Sequence, residues 1–284
     1  MSKYEFGVST FILVSPFTDN DVDQFDVAKE MGYDLIEVCI EDPAVVSAEA
    51  LKEASERTGL PVSICGAFGP DRDVSHEDPQ KRRQGIDYLK VCVDIAQAVG
   101  SPHVAGPMYS ATGKARLLPH GERQQQRQWA ADSLREVADY AAERGVTLAI
   151  EPLNRFETDL VNTVEQGLEL CELIGRDNVG LMLDTFHMNI EEKNIGAAIT
   201  AAGDKVFHFQ VSENDRGTPG SGHVPWSETF DALKTINYQG SIVVESFLPT
   251  VEEIAKAVSL WRPVAPSMDA LARDGLTFLR RELA

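Results

Sequence analysis

Three acidic residues each close a short, purely apolar run: Glu151 after Leu-Ala-Ile, Asp184 after Leu-Met-Leu, and Glu245 after Ile-Val-Val. Singly, such an acid caps the next helix or pairs with an arginine as readily as it does chemistry. The period of two along an extended strand changes that reading. It sets Thr147, Ala149 and Glu151 on one face, and likewise Gly180, Met182 and Asp184, or Ser241, Val243 and Glu245. All three acids can therefore point the same way. Three carboxylates brought together repel one another and bind protons more tightly unless a cation neutralises them, so a bound divalent metal is the expected resolution.

A fourth donor comes from the run Val-Phe-His-Phe-Gln-Val at 206–211. His208 and Gln210 share a face and lie ~6.6 Å apart along a strand. Gln210 is level with the three acids, whereas His208 is one layer deeper and reads first as a buried structural histidine. The expected metal set is Glu151, Asp184, Gln210 and Glu245. An amide oxygen beside three carboxylates is an all-oxygen donor set, suited to Mg²⁺ or Mn²⁺ rather than Zn²⁺.

The elements that must carry these residues alternate along the whole chain. Strand-like runs fall at 5–9, 35–39, 62–65, 103–106, 147–151, 179–184, 206–211 and 241–245, with helical patterns between them. Eight such alternations predict an α/β fold, a (β/α)8 TIM barrel, as a single domain over residues 1–284. Helices are expected over 80–99 and 124–144, stopped by Gly100 and Gly145. The second should bury one stripe that includes Trp129, Leu134, Val137 and Ala141. A doubly wound open sheet is the rival, but its glycine-rich first turn is missing: the first strand runs on as Ser-Thr-Phe-Ile-Leu-Val. In a barrel the C-terminal strand ends share one mouth, where active sites are built. There Cys65 and Gly66, the 68–74 segment and the 108–119 segment should wall a substrate pocket.

With 26 basic and 45 acidic residues the chain carries a net charge of −19, which removes any general attraction to nucleic acid or an anionic membrane. A multi-zinc barrel nuclease would need many histidines and a basic surface, and this chain has six histidines. Its four cysteines form no Cys-x-x-Cys pair and read as reduced core thiols. No run approaches a membrane span, so a cytoplasmic protein is expected.

Three longer motifs then carry a resemblance. They are Glu151-Pro-Leu-Asn-Arg-Phe-Glu157, Leu183-Asp-Thr-Phe-His-Met-Asn-Ile-Glu-Glu192, and the stretch from Ser212 through Asn-Asp-Arg-Gly-Thr-Pro-Gly-Ser-Gly to Trp226. Together they closely resemble ketose 3-epimerases of the D-tagatose/D-psicose type, in the xylose-isomerase-like barrel superfamily. The likeness is strong from about Thr147 to Glu245 and weaker in the N-terminal half. It implies metal-dependent epimerisation at C3 of a free ketose, with Glu151 and Glu245 as both metal ligands and the proton-transfer pair. It also implies sugar contacts from Glu157, His187 and Arg216, and a homo-oligomer, dimer or tetramer. One position departs from the pattern: these epimerases carry His-x-His where this chain has His208-x-Gln210. That leaves an aldose–ketose or hydroxypyruvate-type isomerase, and a lyase acting on a keto-sugar, as alternatives. A sugar-binding scaffold without a metal is the non-enzymatic one.

Overall fold

The computed structural model describes residues 4–283. Eight parallel strands, β1 (Phe6–Ser9), β2 (Leu35–Ile40), β3 (Val62–Gly66), β4 (His103–Gly106), β5 (Thr147–Ile150), β6 (Val179–Asp184), β7 (Val206–Val211) and β8 (Ile242–Val244), pair in chain order. β8 returns to β1, with Gly7 opposite Val243, and closes the barrel. The outer ring follows from the segments between. It comprises α1 (Thr10–Leu13), α2 (Gln24–Met31), α3 (Ala48–Thr58), α4 (Pro79–Val99), α5 (His120–Ala142), α6 (Val164–Ile174), α7 (Thr185–Glu191), α8 (Ile195–Ala202), α9 (Trp226–Thr235), α10 (Glu252–Ala257) and α11 (Met268–Leu283).

The strands read as near-continuous apolar runs because both of their faces are covered. Residues such as Ile36, Val38 and Ile64 face the helices and join the main core, while the alternate residues fill the lumen. α4 ends as expected, Gly100 taking the left-handed conformation at φ +75° and its N–H returning to Ala96 and Gln97. α5 starts earlier than its periodicity predicts, at His120, directly after Pro119 at the N-cap position. Its stripe is Ala130, Ala131, Leu134, Val137, Ala138 and Ala141; Trp129 sits at the edge, beneath the Arg82 guanidinium.

The lumen is built in layers. Ala105, Ala149 and Met182 form an apolar plug on one side. Opposite lies a buried polar group of Glu37, Ser63, His103 and His208. Above it, Asp184 and Gln210 are register partners on β6 and β7, so both close the lumen at one height. This places the strand-end acids over a floor that is itself polar.

The outer-ring assignment of α5 makes a measurable prediction. Leu134 is fully buried and Leu117, in the preceding loop, is 98% exposed. Leu134→Ala should cost about 3 kcal/mol in urea unfolding, and Leu117→Ala should stay within about 0.5 kcal/mol of the parent.

Candidate active site at the barrel mouth

Each strand-end acid is held by backbone before its side chain meets anything. The Glu151 N–H donates to the Gly106 carbonyl at 3.1 Å, and the Glu245 N–H to the Val211 carbonyl at 3.1 Å. Asp184 ends β6 and caps α7, its Oδ1 accepting the Phe186 N–H at 2.9 Å. The capping role is thus real but uses only one oxygen. Asp184 Oδ2 faces Arg216 Nη1 at 2.5 Å, and the same nitrogen reaches Glu245 Oε2 at 3.0 Å.

Arg216 reaches this position through an unusual backbone. It has φ +66°, which non-glycine residues seldom adopt, and the surrounding loop over-determines it. The Glu213 carboxylate accepts from the Asn214, Gly220 and Val224 N–H groups and from Trp226 Nε1. Gly222 packs so closely that an added Cβ would meet Glu213 Cγ at 2.6 Å. Ser246 Oγ donates to the Arg216 carbonyl at 2.7 Å, fastening the loop to the end of β8. The glycine-rich segment after Ser212 therefore presents Arg216. Trp226 opens α9 and packs on Phe230 and Phe278, away from the mouth.

His187 lies one turn into α7. Its Nδ1 accepts the Asn154 N–H at 2.9 Å, which places the ring proton on Nε2, since burial and the adjacent Arg216 hold the imidazole well below its usual pKa and keep it neutral. Nε2 is 3.4 Å from Glu151 Oε1 and 2.9 Å from Arg216 Nη2. With both nitrogens bearing hydrogen, the shorter contact is an approach of two donors and not a hydrogen bond. Arg216 is drawn in by the acids. Glu157 is bound by Asn154 Nδ2 at 2.8 Å and is raised chiefly by burial.

Burial is the largest cause of the shift at both central acids. It pushes Glu151 well above its ordinary 4.5, with Glu245 and Asp184 adding to the effect and Arg216 opposing it. Glu245 rises to about 8, again by burial first, with Arg216 pulling back and Asp184 and Glu37 adding. A single guanidinium does not balance this many buried carboxylates.

Of the predicted residues, Glu151, Glu157, His187, Arg216 and Glu245 line one cavity of about 230 Å³. Cys65, Gly66, Phe68 and Thr112 wall it, as the segments after the third and fourth strands predict, and Phe247 and Ile254 close the apolar side. Asp184 and Gln210 lie below that lining, fully buried. Gln210 Nε2 donates to Glu37 Oε1 at 2.5 Å, while its Oε1 is buried with no partner. An orphaned amide oxygen level with Asp184, under two acids that resist ionising, is a donor set that fits a hard divalent cation. Glu151 and Asp184 also lie close together beside His187, whose Nδ1 is taken by the Asn154 N–H. His208 is buried with Nε2 2.6 Å from Glu37 Oε2, in keeping with a structural histidine.

Sequence reasoning missed Glu37, Asn154, Glu213 and the apolar wall from α10. An acid in phase with Leu35 and Cys39 inside an apolar strand was the available signal for Glu37. The others become functional only through contacts that the sequence does not order.

The model of the xylose isomerase-like TIM barrel family matches residues 25–281. The chain belongs to that family. Among its relatives, a protein from Synechocystis named a probable ketose 3-epimerase is 38% identical over 98% of this chain and 96% of its own length. A D-psicose 3-epimerase from Enterocloster bolteae is 33% identical over 88% of this chain and 85% of its own. The crystal structure of a D-allulose 3-epimerase from Methylomonas in complex with D-allulose superposes with a TM-score of 0.92 at 29% identity, covering 99% of this chain and 98% of that one. These members of the xylose isomerase-like family are epimerases of small ketoses, in agreement with the motif resemblance.

The carboxylate shifts give a pH dependence with a definite sign. Glu245, bound more tightly by its proton in the folded state, contributes stability that is complete below its unfolded pKa of about 4.5 and lost as pH rises through about 8, and Glu151, also raised, acts in the same direction. Metal-stripped protein should melt at progressively lower temperature from pH 5.5 to 8, and a Glu151→Gln/Glu245→Gln variant should lose much less over that range. Mn²⁺ added at pH 7 in weak buffer should release protons, read by a pH indicator, because a cation binds the ionised acids.

Proposed function

We propose that this chain is a cation-dependent isomerase that inverts C3 of a free ketose, with Glu151 and Glu245 as the proton-transfer pair. The observation that carries the reading is the pairing of two acids, both raised toward neutral pH, on one small cavity. An acid of that kind can take up a proton and give one back near neutrality. A cation held by Glu151, Asp184, Gln210 and Glu245 would supply polarisation of the ketose carbonyl and its neighbouring hydroxyl, without which a carbon-bound proton is too weakly acidic. The all-oxygen set favours Mn²⁺ or Mg²⁺.

Within that frame one glutamate, ionised, removes the C3 proton from one face of the sugar. The other, protonated, delivers a proton to the opposite face of the enediolate, and the configuration inverts. His187 directs its Nε2–H toward Glu151, and Arg216 bonds Glu245, so each acid has its own partner for the change of charge. Glu157, His187 and Arg216 are the groups proposed to meet sugar hydroxyls, and Cys65 and Gly66 line the same cavity. Among the described residues lining it, Arg216 is the only cationic side chain, and its guanidinium is committed to Asp184 and Glu245. That supports an unphosphorylated substrate.

The reading takes the working enzyme as a cytoplasmic homo-oligomer, dimer or tetramer, of single-domain subunits. Its four cysteines are free, and among the described residues no helix is long and apolar enough to cross a membrane.

With Mn²⁺ or Mg²⁺ in D₂O, D-psicose, D-tagatose or L-ribulose should exchange the C3 proton and convert to the C3 epimer, followed by NMR. Glu151→Gln and Glu245→Gln should each lower kcat by about 10²- to 10⁴-fold. Absence of exchange with all three ketoses would overturn the epimerase reading.

A further inference from the structure

We propose that Glu37, deep in β2, is a positioning residue that fixes the side-chain amide of Gln210 so that its oxygen, and not its nitrogen, is offered to a cation at the mouth. The inference rests on the cation reading above and concerns how this chain prepares its one neutral donor.

A glutamine amide presents an acceptor on one side and two donors on the other, and only the acceptor side can bind a cation. Left alone, the group can turn either way. Ionised, Glu37 offers acceptors alone, so the group facing it must be the Gln210 NH₂, 2.5 Å from Oε1. Oε1 of Gln210 is thereby turned away from Glu37, buried and without a partner. A buried amide oxygen with nothing to accept costs about 1–3 kcal/mol, which a cation at the level of Asp184 would offset.

Glu37 is anchored in its turn. Ser63 Oγ donates to Glu37 Oε2 at 3.0 Å, and since that hydroxyl has one hydrogen, the 2.9 Å contact between Ser63 Oγ and His103 Nε2 is donated by the histidine. Burial, with His208 adding, lowers His103 to about 3, so it is a neutral donor. His208 Nε2 approaches the same Oε2 at 2.6 Å. One carboxylate oxygen is thus engaged from below and the other is left for Gln210.

Glu37, His103 and His208 have the residue types of a second cation site, but their spacing argues otherwise. Donor atoms around a tetrahedral ion with bonds of ~2.0–2.1 Å sit ~3.4 Å apart. At 2.6 Å His208 Nε2 and Glu37 Oε2 stand closer than two ligands of one such ion would. The cluster serves as the support beneath the site, in the way carboxylates orient ligands at other metal centres.

The test is Mn²⁺ affinity of the metal-stripped full chain, by calorimetry and by EPR of free Mn²⁺, at one pH. The wild type should bind one Mn²⁺; failure to bind would overturn the cation reading itself, before any variant is compared. Glu37→Met, which removes every acceptor, should weaken Mn²⁺ by about 10- to 100-fold. Glu37→Gln, the gentler variant should the first not fold, lets the facing amide adopt either orientation and should lose several-fold. In a Gln210→Ala background the same changes at Glu37 should alter affinity by less than about twofold, because the group they orient is gone. Wild-type affinity in Glu37→Gln, or an equal loss with and without Gln210, would overturn the proposal: the second result would mean that Glu37 acts through its charge or through the fold.

Discussion

Glu151, Glu157, Asp184 and Glu245 are buried at the mouth of one barrel with Glu37 beneath them, and that concentration of carboxylate sets the terms for everything near it. Taking an ionised group out of water costs several kcal/mol unless a partner restores the interaction. The barrel cannot avoid the crowding, because closure brings every C-terminal strand end to one place. Among the described residues, Arg216 is the only arginine that ion-pairs with these acids. Its left-handed backbone, the four hydrogen bonds that Glu213 accepts and the tie from Ser246 are the local cost of bringing one guanidinium there. Proton uptake by Glu151 and Glu245 makes up the rest when no other cation contributes.

The scaffold was legible because its signals are local. A parallel strand covered on both faces is an apolar run whatever surrounds it, and the runs at 103–106, 179–184 and 206–211 match β4, β6 and β7 to the residue. β5 and β8 stop one residue short of their acids. Glu151 and Glu245 have already turned out of the ladder, although their N–H groups still bond the neighbouring strand. The start of α5 was missed by four residues because the amphipathic stripe begins well inside the helix, whose first two turns run along the surface. Period-two alternation found the three acids because it reports which face a side chain takes, and in a closed barrel that decides who meets whom.

What was not legible depends on pairs far apart in sequence. Glu37 and Gln210 are 173 positions apart and touch across the lumen. In a strand such as Leu-Ile-Glu-Val-Cys-Ile, one acid looks like a solvated edge residue until closure buries it. His208 shows the converse. Its register put it a layer below Gln210, and the structure places it there, buried against the His103 ring and beside Glu37. Asn154 has no periodic signature at all; it works because the loop after β5 sets its N–H and its amide against His187 and Glu157 together.

The two walls of the cavity divide the work of recognition. On one side titratable groups and a guanidinium hold their positions through each other, so a hydroxyl moved by an ångström would lose several bonds at once. On the other, Phe11 and Phe247, with ring centroids 5.0 Å apart, pack with Ile254 and Val258 and supply no hydrogen bond through their side chains. A ligand lying between the walls is read at the carbons that face the acids and only by shape beyond them. In the proposed reaction such a site selects by configuration at the segment that faces the acids. It discriminates weakly along an apolar wall, where a missing or added group changes binding by about 1–3 kcal/mol. The fold thus gathers its polar residues on one wall of the cavity and leaves the other to apolar side chains of α10 and the loops around it.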